Sequence, residues 1–427
     1  MMNLKHRVML CAVFCMGFIS IQLHADEMAD EKMWATWLLE SIQQLPSVKA
    51  LGNRNNAAEW DYKAGKNALY NPEIEMRYED SDAQEAGIGI SQTFDFSGKR
   101  KANTKKSEAS YTLAKIETQY LKEEAFSKVL HALIAYDEAE SRLALVQEKE
   151  RILNETRKII LTRQKAGDVS QSDINLTLLS MSENLLQIAE MEVEYNSAKS
   201  ALYAILSVKE PVFSLPIESI WQSTIADVKQ WVDKSPSLIS AQQTISVMKA
   251  ESDLFRANKK SDPTIGISAT SDNDESYVGM SVSLPINVRN SYSAEYKASQ
   301  ERVLQAELEL DAVHRDIVSQ LDEKKSNYQT QLKYWKMWHS LNSSSTVKES
   351  RALIEQQWSL GDISTAEYLF LLQQHGDALL AGLKLESGLK NAWIDWLLST
   401  QQTETWIKKI AEQKKYNDQP LEKYEGK

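Results

Sequence analysis

The sequence predicts a mainly α-helical protein with a small β part, organised as two long helical hairpins and two short strand pairs. Three observations carry this. The octet GDVSQSDI at 167–174 returns 194 positions later as GDISTAEY at 361–368. Proline and glycine, both costly inside helices, are sparse around the octets. No proline lies in 73–210 or 286–419, Gly167 is the only glycine between Gly98 and Gly266, and Gly361 is the only one between Gly279 and Gly376. Two shorter segments alternate apolar and polar residues with the period of a strand.

In chain order, Lys5, His6 and Arg7 precede an apolar run from Val8 to Ile21, and Leu23-His24-Ala25 follows as a cleavage site. Residues 1–25 read as a secretory signal peptide. Cys11 and Cys15, the only cysteines, lie inside that run, and Cys15 lacks the small preceding residues of a lipoprotein signal. The mature chain then has no disulfide and no thiolate metal site. Removal of 1–25 takes Lys5 and Arg7 and no acid, so the net charge moves from -11 to -13. Nucleic acid is excluded as a partner on that balance. No later stretch approaches the roughly 20 apolar residues of a membrane-spanning helix.

The punctuation repeats with the octet. LPSV at 45–48 matches SPSL at 235–238, NPEIEM at 71–76 matches DPTIGI at 262–267, and IGISQTFDF at 88–96 matches VGMSVSLPI at 278–286, with offsets of 190 to 194 throughout. The chain reads as a tandem duplication. The first repeat takes 26–210 (strand hairpin 71–97, helical tip 165–173) and the second 211–400 (strand hairpin 262–287, helical tip 358–367), followed by a polar, loosely ordered tail at 401–427.

Within the strand hairpins, Ile74, Met76 and Tyr78 interleave with Glu73, Glu75, Arg77 and Glu79, and Ile88, Ile90, Phe94 and Phe96 with polar residues and glycine. Ile265, Ile267 and Ala269, then Val278, Met280, Val282, Leu284 and Ile286, do the same in the second copy. Strands of roughly 9 to 11 residues suit an outer membrane, though a half-buried soluble hairpin is the commoner use of this pattern. Apolar residues at helical spacing mark coiled-coil seams: Phe126, Val129, Leu133, Tyr136 and Leu143; Ile174, Leu178, Met181, Leu185 and Ile188; Ala306, Leu310, Val313 and Ile317. Trp335, Trp338, Trp393 and Trp396 read as packing residues of helical walls.

The order of NPEIEMRYED, AGIGISQTFDFSGKRKA, DPTIGIS, VGMSVSLPINVRNSYSAEYKASQ and the paired GD(V/I)S turns resembles the TolC-like outer membrane efflux proteins, nearest to the branch serving heavy-metal pumps of the resistance-nodulation-division class. The resemblance covers essentially all of 31–400. It implies a homotrimer whose four strands per chain close a 12-stranded outer membrane β-barrel, with a periplasmic helical tunnel that docks on a periplasmic adaptor and an inner-membrane pump. Physical reasoning agrees: four strands cannot close a pore, and an open edge is not viable in lipid. Many relatives carry an N-terminal lipidated cysteine that this chain lacks.

The candidate site follows. Gly167 and Gly361 suit a helix C-terminus at positive φ, and Ser170 with Asp173, and Ser364 with Glu367, form capping boxes for the next helix. By the resemblance these tips, with Asp168 and Asp362, are the constricted adaptor-docking end. Asp173 and Glu367 are read first as caps, and second as carboxylate rings that attract cations. Lys99, Arg100 and Lys101 crowd a strand-to-helix junction, where positive charge opposes the helix dipole. Outer membrane lipid head groups or plain solubility at a membrane boundary account for them.

No enzymatic motif is present: His131, His314, His339 and His375 are scattered, with no metalloprotease, nucleophile-elbow or phosphate-loop pattern. No cofactor and no metal site are read from the sequence. The functional reading is a passive outer membrane exit duct for heavy-metal cations. Organic toxicants or type I protein secretion are the alternatives within transport. A periplasmic coiled-coil adaptor is the alternative outside it, and its single hairpin argues against it.

Overall fold

The computed structural model describes residues 31–80, 84–167, 169–206, 227–272, 275–341 and 344–412. Residues 1–30, which include the expected signal peptide, 81–83, Asp168, 207–226, 273–274, 342–343 and 413–427 lie outside the described residues. The order is α1 (31–44), α2 (Pro46–Lys66), β1 (Glu73–Asp80), β2 (Gln84–Thr93), α3 (Lys99–Ala166), α4 (Gln171–Leu206), α5 (Lys229–Val232), α6 (Pro236–Asn258), β3 (Thr264–Asp272), β4 (Glu275–Ser283), α7 (Ser293–Leu341), α8 (Ser344–Leu360), α9 (Thr365–Ser399) and α10 (Thr403–Glu412). The 68 residues of α3, free of proline and glycine, run about 100 Å at 1.5 Å per residue.

The chain folds as two compact units, one of 1–48, 123–226 and 321–427 and the other of 49–122 and 227–320. Neither unit is one sequence repeat; each takes segments from both. The second unit holds a single antiparallel sheet in the order β1-β2-β3-β4. Its register aligns Ile74, Ile90, Ile267 and Met280 in one row, and Met76, Ile88, Ala269 and Val278 in the next. One face is therefore apolar, and it is uncovered: Met76 is 80% exposed and Met280 78%. A half-buried soluble hairpin would have hidden these side chains. The opposite face carries Glu75, Arg77, Gly87, Gly89, Ser91, Gly266, Ser268 and Ser281, and a Cβ built on Gly266 would meet Ser281 Oγ at 2.6 Å. No described helix is long and apolar enough to cross a membrane.

The first unit holds the larger cores. Phe126, Val129, Leu133 and Tyr136 of α3 are buried as the spacing predicts, while Leu143 is only half-buried and Leu130, outside the expected seam, is buried as well. Trp335, Trp393 and Trp396 are buried too, and the Trp338 ring lies where a Cβ on Gly382 would stand, 2.1 Å away, so that helix contact requires glycine.

Two expectations are corrected. The α4 seam is not Ile174, Leu178, Met181, Leu185 and Ile188: Leu178 and Leu185 are exposed, and the buried stripe runs through Ile174, Thr177, Asn184 and Met191. Asn184 is accommodated because its Nδ2 donates to Val146 O at 3.4 Å. The tail is not loose throughout 401–427 either. Residues Thr403–Glu412 form α10, which buries Trp406, Ile407 and Ile410, with the Trp406 ring 6.2 Å from Trp34 and 6.4 Å from Trp393 in edge contacts.

Candidate functional site: the paired hairpin tips

Both tip glycines adopt the left-handed conformation, Gly167 at φ 85° and Gly361 at φ 84°. Gly361 N donates to Trp358 O at 3.2 Å and Asp362 N to Gln357 O at 2.9 Å, which satisfies the last carbonyls of α8. At the first tip Gly167 N donates to Gln164 O at 2.9 Å.

The capping boxes form, unequally. Asp173 N donates to Ser170 Oγ at 3.3 Å, while Ser170 N and Ser170 Oγ donate to Asp173 Oδ2 at 3.1 and 2.7 Å. At the second tip Glu367 N donates to Ser364 Oγ at 3.1 Å, and the reverse bond is not among the described contacts. Asp173 is thus committed to its helix, whereas the Glu367 carboxylate stays exposed.

The structure brings the tips together, which the sequence did not state. Ile152, Leu153 and Ile160 of α3, Ile174 of α4, Trp358 of α8 and Tyr368, Leu369 and Leu372 of α9 share one buried cluster, against which Val169 and Ile363 of the two turns pack. Trp358 stacks on Tyr368 with centroids 4.5 Å apart, Arg163 lies 5.0 Å over Trp358, and Arg163 Nη2 donates to Ser359 O at 3.1 Å. Tyr368 is the last residue of the second octet and Trp358 stands three residues before Gly361, so both sat beside the quoted motif. Their role was not legible because it depends on the other hairpin.

Further along the same helices the hairpins are tied by charge. Arg351 Nη1 donates to Glu148 Oε1 at 3.0 Å, and Arg151 first, then Arg351, hold the Glu148 carboxyl at about 2. Lys149 donates to Gln187 at 3.2 Å and to Gln373, and burial pushes its ammonium below the usual lysine range. Lys390, 5% exposed, is neutralised by Asp137 at 3.0 Å and Glu386 at 2.7 Å. His131 has Asn391 Oδ1 2.6 Å from Nδ1 and Asp395 Oδ1 3.1 Å from Nε2, and Asp395 also receives Lys324 at 3.2 Å. Burial pulls the His131 pKa down, but Asp395 and Asn391 outweigh it and hold the imidazole above its ordinary value. Among the described residues, no group of three or more His, Cys, Asp or Glu could hold a metal ion.

The basic junction resolves differently from a common head-group cluster. Asp95 caps α3, accepting Lys99 N at 2.9 Å and Arg100 N at 2.8 Å, so a carboxylate meets the positive helix end. Lys99 Nζ pairs with the buried Asp262 at 2.9 Å, and Asp262 also accepts Ser97 N and Tyr70 Oη, each at 3.0 Å. Arg100 Nε donates to Lys66 O at 3.0 Å. Lys101 is exposed like Arg100 and, alone of the three, has no hydrogen-bond or ion-pair partner among the described residues. Gly98, at φ 74°, makes this turn possible; in the sequence it stood only as the boundary of a glycine-free stretch.

Residues 38–208 match the family of outer membrane efflux proteins. No curated protein matches the chain. Among solved structures, the fold is similar to the CmeC outer membrane channel of Campylobacter jejuni, at 11% identity and a TM-score of 0.73 over 90% of each chain. The open-state MtrE outer membrane channel of Neisseria gonorrhoeae aligns at 12% identity and a TM-score of 0.70, over 86% of this chain and 88% of that one. CusC, solved in work on its folding and transmembrane channel formation, aligns at 12% identity and 0.68, over 86% and 92%.

Proposed function

We propose that this protein is a TolC-like outer membrane efflux protein, a duct and not an enzyme, which forms the exit channel of a tripartite pump and passes heavy-metal cations outward as a homotrimer. The observation that carries the reading is the sheet: it has an uncovered apolar face, a polar face rich in glycine and serine, and two edges, β1 and β4, that are unpaired among the described residues. A sheet with open edges cannot stand in lipid, so copies of the chain complete one barrel. The polar face, rich in glycine and serine, then lines the bore. The energy comes from an inner-membrane pump, joined through a periplasmic adaptor at the tips around Gly167, Ser170, Gly361 and Ser364.

Cations are favoured as cargo by the acidic balance of the chain and by the resemblance of its motifs to the metal-efflux branch. The experiment is a growth panel of a deletion strain, with and without the gene returned, against metal salts, dyes and detergents. Sensitivity to metal salts, restored by the gene, is the expected result. Sensitivity to organic compounds with unchanged metal tolerance makes the cargo assignment wrong.

A further inference from the structure

We infer that the foot of the sheet carries a phosphate-binding pocket, formed by Lys101 and Lys105 of α3 with Arg256 and Lys260 at the end of α6, and that its ligand is the phosphate of an anionic phospholipid. The cavity measures about 410 Å3 and is also lined by Ser97 and Gly98. Four cations face one carboxylate in it, Asp253, which is already paired with Arg256 at 2.7 Å.

The other cations nearby are accounted for inside the fold. Lys99 pairs with Asp262, Lys106 with Glu251 at 3.1 Å, Arg100 donates to a carbonyl, and Lys259 lies 5.4 Å over the Tyr296 ring. Lys101, Lys105 and Lys260 have no carboxylate partner among the described residues, and they converge on one concavity of an acidic protein. Charge of one sign gathered without internal compensation costs free energy unless an outside anion meets it. The amides of the α3 terminus are not what would bind that anion, because Asp95 occupies them. The lysines would act as mobile point charges and Arg256 as a planar fork, the donor set suited to phosphate oxygens.

Position selects a lipid over a free ion. The pocket begins at Ser97, directly after Phe96, and an exposed apolar collar of Phe94, Phe96, Ile286 and Val288 follows the strands, with Phe96 74% and Val288 82% exposed. Aromatic and apolar side chains beside free lysines mark the level where acyl chains give way to head groups. The proposal rests on the sheet lying in the outer membrane.

The test is native mass spectrometry of the full chain in detergent, titrated with phosphatidylglycerol, for the parent and for the combined Lys101→Gln, Lys105→Gln, Arg256→Gln and Lys260→Gln variant. All four side chains are at the surface, and the melting curve of the variant is recorded alongside to show that it is folded. At least tenfold weaker lipid retention by the variant is expected, while Lys63→Gln with Lys115→Gln leaves retention unchanged. Equal retention by parent and pocket variant overturns the proposal. A parallel titration with inorganic phosphate reads the other source: if phosphate binds the parent and not the variant while lipid binds neither, the lipid assignment is overturned. Fractionation separates the two failures. A parent found in the outer membrane with no difference in retention loses only the pocket, whereas a parent absent from that fraction loses the membrane reading with it.

Discussion

Gly167 and Gly361 sit at φ values near 85° with open space where a Cβ would stand, so what they supply is backbone freedom and not room. Replacing both by valine strains each turn by about 1–2 kcal/mol, since a β-branched residue is poorly tolerated there. The sheet is built from other residues, so trimers should still assemble while efflux and cross-linking to the adaptor fall sharply. Variants that pump and cross-link like the parent would remove docking from the tips. The carboxylates divide by their contacts: Asp173 accepts two bonds from Ser170, and Glu367 accepts none from Ser364 among the described contacts. Asp173→Asn should therefore lower the melting temperature more than Glu367→Gln, with a cap worth about 1 kcal/mol. If either changes cation selectivity in planar bilayers without loss of assembly, its charge acts on the cargo; unchanged selectivity leaves it a cap. His131 gives a pH dependence of stated sign. Its folded pKa lies above the ordinary 6.5, so its contribution is full below pH 6.5 and is lost as pH rises through the folded value. The parent should lose more thermal stability between pH 6 and 8 than His131→Gln, read by calorimetry, and parallel curves would show that the imidazole is not charged in the fold.

At the scale of elements, the sequence was most legible where a residue type has one physical use. Proline and glycine placed α3 to within two residues at each end, and alternation placed all four strands. It was least legible where one pattern has two uses. Along α4 the leucines at 178, 179, 185 and 186 form a richer apolar stripe than the one the protomer buries, and Thr177 and Asn184 lie on the buried side, where Thr177 Oγ1 donates to Asp173 O and Asn184 Nδ2 to Val146 O. Periodicity finds stripes but does not say which neighbour covers them. The stretch TETWIKKIAE read as polar tail because ten residues with three large apolar side chains are weak as a helix alone. It is helical because α1 and α9 offer Trp34 and Trp393, and because Glu123 of α3 accepts Glu404 N at 3.2 Å, capping α10 from another element. Trp406→Ala should cost about 3–5 kcal/mol, whereas Lys409→Ala should cost little. Equal melting temperatures for the two would mean that α10 is not docked.

For the whole molecule, the sheet and α4 pose the same problem at different places in the chain. The sheet leaves one apolar face and two edges open, and α4 leaves Leu179, Leu186 and Val193 at 66%, 61% and 66% exposure. Lipid can cover the apolar face of the sheet but not its edges, and neither lipid nor water suits a leucine stripe on a helix that is itself too polar to enter a membrane. Under the proposed function, further copies of the chain would answer both, with strands joining edge to edge and the α4 stripe packing on a neighbouring protomer. Native mass measurement of protein extracted from the outer membrane should therefore give a trimer. Leu179→Lys with Leu186→Lys should shift it toward monomer without lowering the helicity of the protomer, because neither side chain belongs to the buried stripe of Ile174, Thr177, Asn184 and Met191. The paired experiment distinguishes the two contributions. If the double variant stays trimeric, the strands alone hold the assembly and the leucine stripe needs another partner; if the parent itself is a monomer in the periplasmic fraction, the barrel reading fails.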